Sequence, residues 1–336
     1  TPRGTLAVSA HGTQPAAGLT NSMFVALRVK DAIVDRFRAR YGVRPDVSVE
    51  SPDLRVHVQL YWGSPAPGSL SASGAAGSRR PRGPAREEPR VVLSLDASDR
   101  PLHERGYRIA SVDAPLKETL AATIVEIALR RTQPPIALGP DAPLPTIVDL
   151  CCGSGTLLIE AGLRVLARSP GLVGSPHRHF GCMAWRGFDR PLFQRLSSDA
   201  QSHARGASSV FLYGIDSDRR AVTTSRRNLT MAGLAQLAQV QSDDLRTTTP
   251  PTPANADSPR LVLCNPPYGE RLGDATELVE LYRALGDTLK RRFTGYTAYV
   301  YTANLDLAKQ IGLRPRARHI LFNGPLEGRL LEFQLY

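Results

Sequence analysis

The sequence predicts an α/β protein, a parallel sheet covered by helices, preceded by a smaller α+β segment. Three observations carry this. From residue 114 onward short apolar strands alternate with helical stretches, the rhythm of βαβ units. One of those strands runs straight into a glycine turn and a helix, Asp149-Leu150-Cys151-Cys152-Gly153-Ser154-Gly155-Thr156, the kind of junction at which such sheets hold ligands. A low-complexity block at 63–90 interrupts the first hundred residues. Twenty of its 28 residues are Gly, Pro, Ser or Ala, and Leu70 is its single large apolar residue, too little surface to bury and order itself.

The elements follow in order. From Asn21 to Arg40, Ala26, Val29, Ile33 and Phe37 recur at helical spacing, with Asn21 or Thr20 as the cap. Residues 54–60 alternate strictly, Leu54, Val56, Val58 and Leu60 on one face, and Arg55, His57 and Gln59 on the other. That is a half-buried strand, on which His57 is read as a surface residue rather than a ligand. Residues 91–95 supply its partner across the low-complexity block. A helix fits 115–131. Apolar strands fit 146–150, 210–216, 260–264, 296–301 and 329–335, with a shorter one at 238–242; helices fit 156–168, 218–232, 276–292 and 304–312. Residues 169–209 read as an insertion holding Phe180, Trp185 and Phe188. The domain boundary is expected between residues 100 and 101.

Composition narrows the function classes. The 336 residues suggest about two domains. The 42 % hydrophobic and 22 % charged residues exclude a disordered chain, and no apolar run reaches the length of a membrane helix. Four cysteines without a Cys-x-x-Cys spacing argue against a disulfide scaffold and against a metal site, and for a reducing compartment. Thr1-Pro2-Arg3 opens no signal peptide and reads as the start of a fragment. The cytoplasm is the expected location, an organelle matrix the alternative. A net charge of +11, on 38 arginines and four lysines, points to a polyanionic partner. Residues 1–100 carry +5 and the remainder +6, so the shorter segment is about twice as basic per residue.

Four sites carry candidate chemistry. In the glycine turn, Asp149, Cys151, Gly153, Ser154, Gly155 and Thr156 bring backbone close to a ligand, although a Gly-x-Gly turn also occurs as a mere tight turn. Leu158 stands where a dinucleotide fingerprint has its third glycine, and no Gly-Lys-Ser/Thr follows, against both NAD and ATP. Asp216 ends the next strand, suited to a ribose diol, while Asp218 suits a helix cap. Asp243 or Asp244, after the strand at 238–242, accepts from an adenine amino group or closes a solvated turn. The fourth site, Asn265-Pro266-Pro267-Tyr268, decides the matter. Proline removes N–H donors, so the Asn265 oxygen and Pro266 carbonyl face outward as acceptors for an exocyclic amino group, and Tyr268 offers a stacking face.

These two motifs together resemble the amino-directed, S-adenosylmethionine-dependent methyltransferases. More narrowly, the chain resembles the THUMP-domain RNA guanine-N2 methyltransferases, large-subunit rRNA branch. The matching stretches run nearly end to end: Asn21-Ser22 through Asp35, Pro52-Asp53-Leu54-Arg55-Val56, Leu102-His103-Glu104-Arg105-Gly106-Tyr107-Arg108, Ala114-Pro115-Leu116-Lys117-Glu118, and Phe322-Asn323-Gly324-Pro325-Leu326. The resemblance implies the later part of an α+β THUMP RNA-binding domain at 1–100, and a Rossmann-like, seven-stranded class I methyltransferase at 101–336. It implies S-adenosyl-L-methionine as cofactor, RNA as partner, no metal and no membrane. Methyl transfer to the N2 amino group of a guanosine in large-subunit rRNA is the expected activity. The guanine amino group is a poor nucleophile, and acceptors at Asn265 and Pro266 would orient its lone pair. Two departures stand out. Leu150 occupies a position usually held by proline, and the 63–90 block interrupts the THUMP strands. The alternatives are a tRNA guanine-N2 methyltransferase and a non-catalytic ribosome-assembly factor that keeps the fold. A DNA or protein amino-methyltransferase would share the Asn-Pro-Pro-Tyr motif but not the first hundred residues.

Overall fold

Strand β1 (Thr5–His11) is followed by helix α1 (Ser22–Tyr41), then by β2 (Asp46–Val47), β3 (Leu54–Tyr61) and β4 (Arg90–Leu95). The structure is a computed structural model that describes residues 4–12, 21–50, 52–61, 90–111, 115–139, 141–173, 180–253, 257–269 and 275–336. The low-complexity block lies outside these residues apart from Arg90, as do Thr20, Ala114 and the residues directly after Gly269. The chain divides into two compact units, Thr1–Pro101 with His179–Arg190, and Leu102–Arg178 with Pro191–Tyr336.

In the first unit the sheet order is β2-β1-β3-β4. β1 runs parallel to β2 and β3, and β4 pairs antiparallel with β3, Val58 opposite Leu93. Asn21 caps α1 by accepting from the Met23 N–H at 2.8 Å. Gly42 ends it at φ 69°, the left-handed closure glycine permits. The alternation read in residues 54–60 is real, for Val56, Val58 and Leu60 are buried. They pack in two small clusters, one with Leu6 and Val34, one with Val25. His57 stays partly exposed, held between Ser9 and Asp96. β1 went unread in the sequence although Leu6, Val8 and Ala10 alternate there. The segment 180–190 packs on this unit, where the Cys182 N–H donates to the Ala97 carbonyl at 3.2 Å.

The second unit is a seven-stranded sheet with helices on both faces. Its elements are α2 (Glu118–Arg131), β5 (Thr146–Asp149), α3 (Thr156–Val165), α4 (Arg190–Ser202), β6 (Leu212–Asp216), α5 (Arg219–Met231), β7 (Ala238–Ser242), β8 (Arg260–Cys264), α6 (Ala275–Arg292), β9 (Thr297–Thr302), α7 (Leu305–Gln310), β10 (Ala317–Asn323) and β11 (Leu326–Gln334). The strand order is β10-β11-β9-β8-β5-β6-β7. β5 to β9 pair parallel, and β11 pairs antiparallel with both β9 and β10. One core forms from α2, α3 and α5 against one face of the sheet, the other from α6 and α7 against the opposite face. This is the Rossmann-like, seven-stranded arrangement expected. Two elements of this unit, β10 and α4, lie where none was expected. No helix among the described residues is long and apolar enough to cross a membrane.

The sheet order places a switch point between β5 and β8. The connection from β5 leads to β6 on one side, whereas β8 lies on the other. Ligands bind outside the carboxyl ends of the strands at such a point. The glycine turn after β5 and the Asn-Pro-Pro-Tyr segment after β8 both stand there.

Candidate active site

β5 is buried throughout and delivers Asp149, 1 % exposed, to the carboxyl end of the sheet. The Cys151 N–H donates to its Oδ1 at 3.2 Å. Burial pushes the Asp149 carboxyl up to about 8, and the neighbouring Asp216 carboxylate acts in the same direction. The chain then turns through Gly153 and Gly155, both at positive φ, 53° and 81°. Gly155 tolerates no side chain, since a Cβ would stand 2.4 Å from Ser225 Oγ. Ser154 and Thr156 turn their hydroxyls inward, 3.2 Å apart, so what this loop offers a ligand is backbone.

Asp216, at the end of β6, organises the loop. Its Oδ2 accepts from the Gly153 N–H at 2.8 Å and its Oδ1 from the Asp218 N–H at 3.0 Å. Asp218 is the N-cap of α5, accepting from the Arg220 N–H at 2.8 Å. Asp243 and Asp244 follow β7. The Asp243 N–H donates to the Asp216 carbonyl at 3.2 Å, which draws the β7 end against β6. Asp244 closes a turn through the Arg246 N–H and guanidinium. The Arg246 backbone N–H, more than its side chain, holds the Asp244 carboxyl below the usual range.

Asn265 follows β8. Its Oδ1 is buried and has no hydrogen-bond partner among the described residues. A buried amide oxygen left unpaired costs about 1–3 kcal/mol, so this atom is an acceptor held ready for a donor. Pro266 is buried, and Tyr268 is half-buried between the two cores. The ring of Tyr268 meets that of Tyr301 edge-on, centroids 6.3 Å apart. The Cys151 thiol of the glycine loop and burial push the thiol of Cys264, directly before Asn265, well up.

The fold thus gathers Asp149, Cys151, Gly153, Ser154, Gly155, Thr156, Asp216, Asp218, Asp243, Asp244 and Asn265 to Tyr268 at the carboxyl ends of four adjacent strands. Two residues that hold this site were missed in the sequence. Asn228 is fully buried and uses its whole amide. Its Oδ1 accepts from the Ile109 and Ala110 N–H groups, and its Nδ2 donates to the Ala110 and Ser154 carbonyls, each at 3.0 Å. Arg108 donates to Glu118 at 2.9 Å and to Thr156 Oγ1 at 3.0 Å. Asn228 could have been found, because it falls on the helix face of Ala221, Val222, Ser225 and Leu229, where a polar amide needs partners.

Residues 105–332 match the RMKL-like methyltransferase domain family. The chain belongs to this family. Residues 1–62 match the THUMP domain. Among curated proteins, the chain is 40 % identical over its full length to the ribosomal RNA large subunit methyltransferase K/L of Allochromatium vinosum. It is 37 % identical over 99 % of its length to that of Methylococcus capsulatus. It spans about 40 % of the length of each of these relatives. Among solved structures, SMU.472, a putative methyltransferase complexed with SAH, superposes on all of this chain and 76 % of its own, with a TM-score of 0.74 and 24 % identity. TrmN from Thermus thermophilus covers 99 % of this chain, and 73 % of its own is covered, with a TM-score of 0.56 and 21 % identity. Both show the methyltransferase fold.

Proposed function

We propose that this chain uses S-adenosylmethionine to methylate the exocyclic N2 amino group of a guanosine in RNA, in large-subunit ribosomal RNA. The observation that carries the reading is the buried Oδ1 of Asn265 at the switch point, without a partner among the described residues, across from the glycine turn that follows β5. The relatives' names support rRNA as the substrate, and the THUMP match supports RNA as the partner. In this reading residues 1–100 are the RNA-binding domain and 101–336 the methyltransferase domain.

The residues present fit the cofactor. Gly153 would leave room for it, while Gly155 lets the turn pack on Ser225 of α5; Asp216 would face its ribose, and Asp243 or Asp244 its adenine. When bound, it supplies an electrophilic methyl group on sulfur. The chain's own residues do the rest. Asn265 Oδ1 accepts from the target amino group, as does the Pro266 carbonyl, and together they aim its lone pair. Tyr268 backs the target base, which must leave its stack at a cost of a few kcal/mol; stacking returns about 1–3 kcal/mol.

Nucleoside mass spectrometry of 23S-type rRNA, incubated with and without the protein, tests the reaction; the expected product is N2-methylguanosine. Single-turnover assays at saturating cofactor and RNA test the assignment. Asn265→Ala should slow the step by about two orders of magnitude while leaving cofactor affinity intact. Tyr268→Phe should be tolerated and Tyr268→Ala should not. A rate for Asn265→Ala within threefold of wild type would mean that another residue orients the nucleophile.

A further inference from the structure

β10 is the edge strand of the seven-stranded sheet, and one of its faces is bare. Ala317, His319, Leu321 and Asn323 are half-buried, whereas Arg318, Ile320 and Phe322 are exposed. Leu321 packs on the core that α2 helps to form. On the other face Ile320 is 59 % and Phe322 56 % exposed. Sheet edges are ordinarily blunted by charge or covered, so an aromatic and a branched apolar residue side by side on this one need an occupant.

Topology says where this face leads. β11 is antiparallel to both β9 and β10, so β10 runs in the direction of β8 and β9. Phe322 and the turn at Gly324 therefore lie at the carboxyl end of the sheet, the end that carries Asn265. Three strand spacings separate β10 from β8, about 14 Å. Tyr301 closes the other face of these strands, with Leu321: its ring meets Tyr268, and its hydroxyl lies against Gly328, opposite Leu321.

The charge of the surface is positive. Arg314 and Arg318 are exposed, and no carboxylate among the described residues pairs with Arg318. Lys117 Nζ sits at the turn, 3.4 Å from where a Cβ of Gly324 would stand. The carboxylate opposite Phe322, Glu327, is neutralised by Arg329 at 2.7 Å. An exposed ring beside unpaired cations is the pairing that single-stranded nucleic acid recognises, with bases on the ring and phosphates on the cations.

We propose that the bare face of β10, ending at Phe322 and the Lys117 turn, holds a single-stranded nucleotide that flanks the base presented to Asn265. This rests on the reading that the substrate is RNA. It adds a second foothold beside the site, set a short stretch of extended strand away from it.

The test uses the full chain and a fluorescein-labelled single-stranded dodecamer of adenosines with one central guanosine, followed by anisotropy. Phe322→Ala should weaken binding about tenfold, within the range of a lost base–aromatic stack, and Phe322→Trp should restore it. Arg318→Ala should lower the slope of log affinity against log salt by about 0.7, one phosphate contact on a single strand. A photo-crosslinking p-benzoylphenylalanine at position 322 should join to the RNA. Affinities of Phe322→Ala and Arg318→Ala within twofold of wild type, or a crosslink to protein in place of RNA, would overturn the proposal. Calorimetry with S-adenosylmethionine keeps the two readings apart. An unaltered cofactor titration with unchanged dodecamer binding sinks only the β10 surface. Failure of the wild-type chain to bind cofactor sinks the methyltransferase reading, whatever the dodecamer does.

Discussion

Gly153 and Asp216 form the smallest unit of the site, one backbone N–H and one carboxylate at 2.8 Å. Gly153 stands at φ 53°, a region that β-branched residues essentially do not enter. Gly153→Val should therefore abolish S-adenosylmethionine binding, both by strain and by filling the ligand's space. Asp216→Ala should weaken it by about 1.5–3 kcal/mol, the range for a charged hydrogen bond. Titration calorimetry checks both, and unchanged curves would remove this loop from consideration. Asp149 allows a pH test. Its buried carboxyl titrates near 8, against about 3.9 in an unfolded chain. Between those values the folded protein keeps a proton that the unfolded chain has lost, so stability falls as pH rises through that window. Asp149→Asn removes this dependence. Melting temperatures from pH 5 to 9 should show the variant gaining on wild type up to about pH 8 and then holding level. Parallel curves would show that Asp149 does not titrate there. Both motifs were legible in the sequence because glycine and proline act through the backbone, independently of what surrounds them. The partners of Asn228 and the link from Arg108 to Thr156 were not, since they lie 74 or more and 48 residues away in the chain.

Elements were legible where both faces are buried, as in β8, or where one face alternates cleanly, as in β3. β8 matches its expected span, Arg260–Cys264, and is buried at four of its five positions. β10 has one bare face with arginine and phenylalanine on it, so no apolar alternation marks it. α4 buries no residue and falls within 169–209, the stretch that reads as an insertion. Gly286, inside α6, shows how packing overrides propensity. Helix propensity alone makes Gly→Ala favourable by about 1 kcal/mol. Here, however, a Cβ would stand 1.8 Å from the Ile311 carbonyl oxygen, a backbone atom that cannot swing away. Overpacking costs about 1–3 kcal/mol or more, and it should win. Gly286→Ala should lower the urea midpoint with an unchanged slope; a raised midpoint would mean that α6 and the residue after α7 separate freely.

At the scale of the whole molecule the two units differ sharply in what holds them. Among the described residues, apolar packing in the first unit is confined to two clusters of three buried residues each, whereas the second unit has a large core on each face of its sheet. Apolar burial dominates stability, so the first unit should melt at the lower temperature. The segment 180–190, far along the chain, packs with that unit, so removing residues 1–100 would strand it. Heating the intact chain with each ligand is the cleaner experiment. S-adenosylhomocysteine at a hundred times its dissociation constant adds about 2.7 kcal/mol to whatever binds it. Scanning calorimetry should show two transitions, with the ligand raising only the upper one. A single-stranded RNA held chiefly through the first unit should raise the lower one, and less so as salt increases. If S-adenosylhomocysteine moved both transitions equally, the units would unfold as one, and cofactor and RNA would be linked through the fold rather than bound side by side.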